Sequence, residues 1–185
     1  MKRSDLEHII RAAGDVLGED RVIVVGSQSI LASFPDDELP VEAARSLEAD
    51  ILPLDDADGS KADIIEGVLG EFSPFDEEFG IHVDGVSEST SVLPVGWQER
   101  LIPFTNSNTN GVTGLCLERH DLCIAKLVAG REKDLDFVGA LLAAGSIDPA
   151  ELRHRMPMCV MPEGRREAVE QFLGRSTPQM PDGGS

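Results

Sequence analysis

Residues 21–26, Arg-Val-Ile-Val-Val-Gly, constrain the fold of this chain more tightly than any other stretch. Four successive apolar residues, three of them valines, prefer the pleated backbone and leave no polar face, which describes a buried strand. Gly26 closes the run, and Ser27 opens a segment read as a short helix over Ser27–Phe34. The preceding residues are helical: Leu6, Ile9, Ile10, Ala13, Val16 and Leu17 recur at helical spacing over Asp5–Leu17. Ser4 or Asp5 is the expected cap, and Gly18-Glu19-Asp20 ends the pattern. A buried strand between helices needs neighbouring strands to pair with and helices to cover it.

Several candidate partners follow. Ser46–Leu52 reads as a second strand, with Leu47, Ala49 and Ile51 on one face and Glu48, Asp50 and Leu52 on the other. Gly59–Phe72 reads as a helix turning Ile64, Ile65, Val68 and Leu69 inward. Short β-like pieces are expected at 80–83, 91–93, 100–104 and 115–117. Helices are expected from an N-cap at Asp121 to Ala129, over Glu132–Ala144 after Gly130, over Asp148–Met156 and over Pro162–Leu173. The class is therefore α+β: a small mixed β-sheet flanked by helices, with helices at the C-terminal end. The 185 residues suit one domain over 1–175, followed by a Pro/Gly/Ser/Gln tail over 176–185 expected to be disordered.

Charge limits the function classes. Sixteen basic against 34 acidic residues give a net charge of −18, a field that repels nucleic-acid backbones and denies the chain a non-specific grip on DNA. A polyanionic substrate would have to meet a local basic site. No apolar run is long enough to cross a bilayer, and no apolar stretch follows Lys2-Arg3 as in a secretory signal, so a cytoplasmic location is expected. Cys116, Cys123 and Cys159 show neither disulfide nor zinc spacing and read as small buried or half-buried thiols. The four histidines do not cluster. Trp97 reads as a packing residue at a turn, and His120-Asp121 as a helix start rather than a catalytic dyad.

Two segments could carry chemistry. In the first, Gly26-Ser27 ends a strand, which allows close backbone approach to a ligand and supplies a hydroxyl donor. It is followed by Glu48-Ala49-Asp50, whose two carboxylates project from the same strand face. Such a pair repels itself unless a cation sits between, and Mg²⁺ beside a nucleotide's phosphates suits it. The plainer alternative is a solvated face. The second segment is Lys126-Leu127-Val128-Ala129-Gly130-Arg131-Glu132-Lys133-Asp134. On a continuous helix Lys126 and Lys133 fall within about 20° of each other, and Asp134 lies about 80° from Lys126. An ordinary charged helix face is the plainer alternative here.

Together these segments resemble the minimal nucleotidyltransferase superfamily, with the nearest likeness to the bacterial group of AbiEii-type toxins and their stand-alone relatives. That pattern is a strand ending in Gly-Gly or Gly-Ser, a later strand with two acids one residue apart, and a helical K-L-x-A-x-R-x-x-D element. The resemblance spans roughly Val22–Leu142. It implies transfer of NMP from an NTP, with release of pyrophosphate, to an RNA (tRNA included), protein or small-molecule acceptor. Gly26 and Ser27 would hold phosphates, and Glu48 and Asp50 would bind Mg²⁺. Lys126, assisted by Arg131 and Lys133, would contact phosphates. Asp134 would be a base or an orienting group. An antitoxin partner is implied for the toxin branch. Glu48 stands where the pattern usually has Asp, lengthening the arm by one methylene. A non-catalytic module of the same fold, binding nucleotide or a partner, therefore stays open beside the enzyme.

Overall fold

A computed structural model describes residues 1–176. The expected tail falls almost entirely on 177–185, outside the described residues. Helix α1 (Arg3–Leu17) starts ahead of the expected cap: the Asp5 carboxylate accepts the Lys2 N–H at 2.7 Å, satisfying the helix end from inside. α1 buries Leu6, Ile9, Ile10 and Ala13. Strand β1 (Arg21–Val25) follows, and Val22 to Val25 are all buried. Both of its faces are thus covered, as an unbroken apolar run requires.

The remaining strands are β2 (Glu48–Leu52), β3 (His82–Gly85), β4 (Ile102–Phe104) and β5 (Thr113–Cys116). They form one sheet in the order β3-β2-β1-β5-β4. β1 pairs antiparallel with β2 and parallel with β5, β2 pairs parallel with β3, and β4 pairs antiparallel with β5. The helices are α2 (Ser60–Leu69), α3 (Pro74–Phe79), α4 (Arg119–Ala129), α5 (Glu132–Ala143), α6 (Pro149–Arg155) and α7 (Arg165–Ser176). This is the mixed sheet flanked by helices, with C-terminal helices, that the sequence implies.

Several local expectations differ from the structure. The short helix expected over Ser27–Phe34 is present as a 3₁₀ helix over Ser27–Ala32. α2 buries Ile65 and Leu69 but leaves Ile64 and Val68 about half exposed, because a ten-residue helix lying on β3 covers only one stripe. Leu47 precedes β2 and points outward. Residues 91–93 join no ladder, and 74–79 form α3, started by the Ser73 hydroxyl accepting the Asp76 N–H and by Pro74 in the first turn. α7 begins at Arg165, three residues past Pro162. The three cysteines and Trp97 are buried, as expected.

The N-cap of α4 is Glu118, whose carboxylate accepts the His120 and Asp121 N–H groups. Asp121 is fully buried instead. It accepts from Arg100 Nε at 2.7 Å and from Arg155 at 2.9 Å, and Arg155 also donates to Glu118 at 2.5 Å. His120 Nε2 accepts the Asp148 N–H, so the ring proton sits on Nδ1, facing Glu118 at 2.8 Å. Burial alone would raise the Glu118 carboxyl. The hydrogen bond from His120 and the nearby Arg155 charge outweigh it and hold the group down to about 2. This network ties α4 to α6 and to the chain ahead of β4, fixing the helix that carries Lys126.

Candidate active site

β1 delivers the first part of the site. The register sets Val25 opposite Asp50, so Gly26, the next residue, passes directly beside that carboxylate. Gly26 has φ +61, and a Cβ built there would lie 1.7 Å from Asp50 Oδ2. Both its dihedral and its surroundings demand glycine.

β2 and β3 deliver the acids. Glu48 and Asp50 share a face of β2, and the parallel pairing of β3 sets Asp84 beside Asp50. One ligand atom from each of Glu48, Asp50 and Asp84 lies within 4.8 Å of the others, and all three groups are half-buried. Their electrostatics are unfavourable as they stand. Burial, then the Glu48 charge, pushes the Asp50 carboxyl up against the opposing pull of Lys126, Arg131 and Lys133. Burial and the charges of Glu48, Glu66 and Asp50 push Asp84 up to about 6. Three hard oxygen donors this close together, with the Asp50 and Asp84 carboxyls raised, form a suitable donor set for a divalent cation.

The basic side comes from α4 and α5. Lys126 is buried; its Nζ donates to Ser27 Oγ at 2.8 Å and to Asp134 Oδ1 at 3.2 Å, and lies 4.5 Å from the centre of the Phe137 ring. Asp134 is fully buried and also accepts from Arg131 Nε at 2.6 Å. Burial by itself would raise its carboxyl, but the Arg131 hydrogen bond and the Lys126 charge overrule it and hold it below the ordinary value. The helix breaks at Gly130, with φ +65, so the angular separation expected for a continuous helix does not apply. The break folds Asp134 back onto Lys126. Arg131 becomes the N-cap residue of α5, and Lys133 stands exposed.

These parts meet in one cleft of about 680 Å³. Gly26, Ser27, Glu48, Asp50, Lys126, Arg131 and Lys133 all line it, and Asp134 sits behind Lys126. The carboxylates therefore share a cavity with both the lysine-bearing helix and the glycine turn, and the local positive charge that the net −18 calls for is in that cavity. Arg45 and Phe137 also line it, and sequence reasoning names neither. Asp84 is missed as well. The strand reading stops at Val83, and only the alternation His82-Val83-Asp84 could have carried it one residue further.

Comparison with known proteins identifies a family. The model of a family described as nucleotidyltransferase of unknown function (DUF6036) matches residues 4–173. No curated protein and no solved structure matches. The family match runs from the start of α1 into α7 and includes every residue of the cleft, and by it the chain belongs to this nucleotidyltransferase family.

Proposed function

We propose that the chain is a Mg²⁺-dependent enzyme that moves NMP from an NTP to an acceptor hydroxyl. Residues 1–175 would act as one catalytic unit. The observation that carries this is the Lys126–Ser27 hydrogen bond inside the cleft that Glu48 and Asp50 also line, because it brings three separate sequence motifs to one place. Glu48, Asp50 and Asp84 are the residues that would hold the metal. When bound, the metal neutralises phosphate charge and lowers the pKa of the attacking hydroxyl. The longer Glu48 arm still reaches the other two acids.

The chain's own groups account for the rest. Gly26 lets the backbone approach the phosphates, and Ser27 and Lys126 donate to them. Lys126 is held ready by Asp134 and by the Phe137 ring, so little side-chain freedom is lost on binding. Arg131 and Lys133 at the rim assist. Asp134, doubly ion-paired and buried, fits the orienting role and not that of a base. The acceptor oxygen attacks the α-phosphorus, the bond to the β-bridging oxygen breaks, and pyrophosphate leaves. The hydroxyl proton passes to a carboxylate of the cluster, and Asp84, set beside Asp50 by the β2–β3 pairing, is the candidate to take it.

The acceptor classes implied by the motifs are RNA, protein and small molecule. The toxin-type role with an antitoxin partner rests on the likeness of the motifs alone. The test is label transfer from α-labelled ATP, CTP, GTP and UTP with Mg²⁺ in a cell extract, then on the fractionated acceptor. Asp50→Asn should abolish the labelling. Labelling that survives this change removes the metal assignment.

A further inference from the structure

Independently of the cleft, the outer face of α2 and α3 carries an arrangement that costs the free protein stability. Phe72 is 81% exposed and has φ +63, a left-handed backbone that a bulky residue rarely adopts. Its N–H donates to Asp76 Oδ2 at 3.0 Å, which holds the turn. Ile64 and Val68, one helical turn apart on α2, are 48% and 46% exposed, and Phe79 on α3 is 51% exposed. Phe79 is also fixed in place, with its ring 5.0 Å from Phe75 and 4.3 Å from His8. Strained backbone and exposed, pre-ordered aromatic rings are features of binding anchors.

The charge around this face selects the occupant. Between Lys61 and Arg100 the chain has nine aspartates and glutamates and neither lysine nor arginine. Asp63, Glu66, Glu71 and Glu78 are exposed and alternate along the chain with the exposed apolar residues. A second copy would bring the same acids against themselves, and an anionic membrane surface would be repelled. We propose that this face docks a basic amphipathic segment of a partner polypeptide, whose apolar side covers Val68 and Phe72 while its lysines or arginines meet the acidic rim.

The full chain can be titrated with a synthetic leucine/lysine amphipathic helix as probe, using a leucine/glutamate helix of equal length as control. The expected result is binding of the basic probe alone, weakened by salt, with hydrogen-exchange protection confined to α2 and α3. Two variants should weaken it at least about tenfold without lowering Tm. Phe72→Gly relieves the left-handed backbone. Gly67→Lys places a cation next to Val68 on the exposed side of α2, where a Cβ meets nothing within 4 Å. Unchanged binding by these variants, protection mapping to the cleft, equal binding of the acidic helix, or no binding at all would overturn the proposal. So would self-association abolished by Phe72→Gly.

Discussion

Breaking the Lys126–Asp134 pair should reveal how the cleft is held. Asp134 is fully buried, and the Lys126 side chain is 10% exposed against 63% for Arg131. In Asp134→Ala, Arg131 can relax into water while Lys126 is left as a charge without its counter-ion. Removing one partner of a buried pair costs roughly 3–5 kcal/mol. The Ser27 hydroxyl and the Phe137 ring stay beside Lys126, which argues for the lower end, about 3 kcal/mol. For a chain of this size that is a fall in Tm of roughly 6–12 °C. Lys126→Met should cost less, about 1–2 kcal/mol, because Asp134 keeps Arg131 at 2.6 Å. The double variant Lys126→Met/Asp134→Ala removes both members of the buried pair and should cost no more than about 2 kcal/mol. Urea and thermal unfolding of all four proteins closes the cycle, which should show a coupling of at least about 2 kcal/mol. NTP binding should stay lost in both proteins lacking Lys126, whatever their stability. An Asp134→Ala protein within about 0.5 kcal/mol of the wild type, or an additive cycle, refutes this account of the ion pair.

Two further outcomes follow from the acid cluster. Gly26→Ala forces a Cβ to 1.7 Å from Asp50 Oδ2 and strains the backbone by about 1–2 kcal/mol, so the fold should survive while Mg²⁺-dependent NTP stabilisation, read by thermal shift, disappears. A wild-type-like shift would show that Asp50 is not needed where it stands. Asp84 has its carboxyl raised from 3.8 to about 6, so its contribution to the metal-free fold is fully present below about pH 3.8 and is lost as pH rises through about 6. Asp50 is shifted in the same direction. Mg²⁺ competes with those protons, so its apparent affinity should rise by up to about tenfold per pH unit for each proton displaced below 6 and level off above it. A flat profile between pH 5 and 7.5, measured by calorimetric titration, contradicts the cluster as the metal site.

The elements legible in the sequence are those defined by local pattern. β1 follows from an unbroken apolar run and α1 from its period, and Glu48 with Asp50 from two-residue strand spacing. Non-local pairing was not legible. Asp84 joins the site only because β3 lies parallel to β2 in a register that sets it beside Asp50. Lys126 and Asp134 meet only because Gly130 breaks the helix, so a wheel drawn through the break separates two groups that lie 3.2 Å apart. α3 is six residues long, too short for periodicity to detect, and its cap and proline resemble a loop. Ile64 and Val68 fit an inward stripe by hydrophobicity, but which stripe is covered depends on where β3 and α1 lie.

Mn²⁺ binding measured by electron paramagnetic resonance tests the metal-and-nucleotide site most directly. With a non-hydrolysable NTP analogue present, the wild-type protein should deplete the free-ion signal, and the Asp50→Asn/Asp84→Asn protein should leave the signal at that of nucleotide alone. Equal depletion by both proteins, or none by either, would mean that these carboxylates do not hold the ion and that the proposed chemistry does not take place in this cleft.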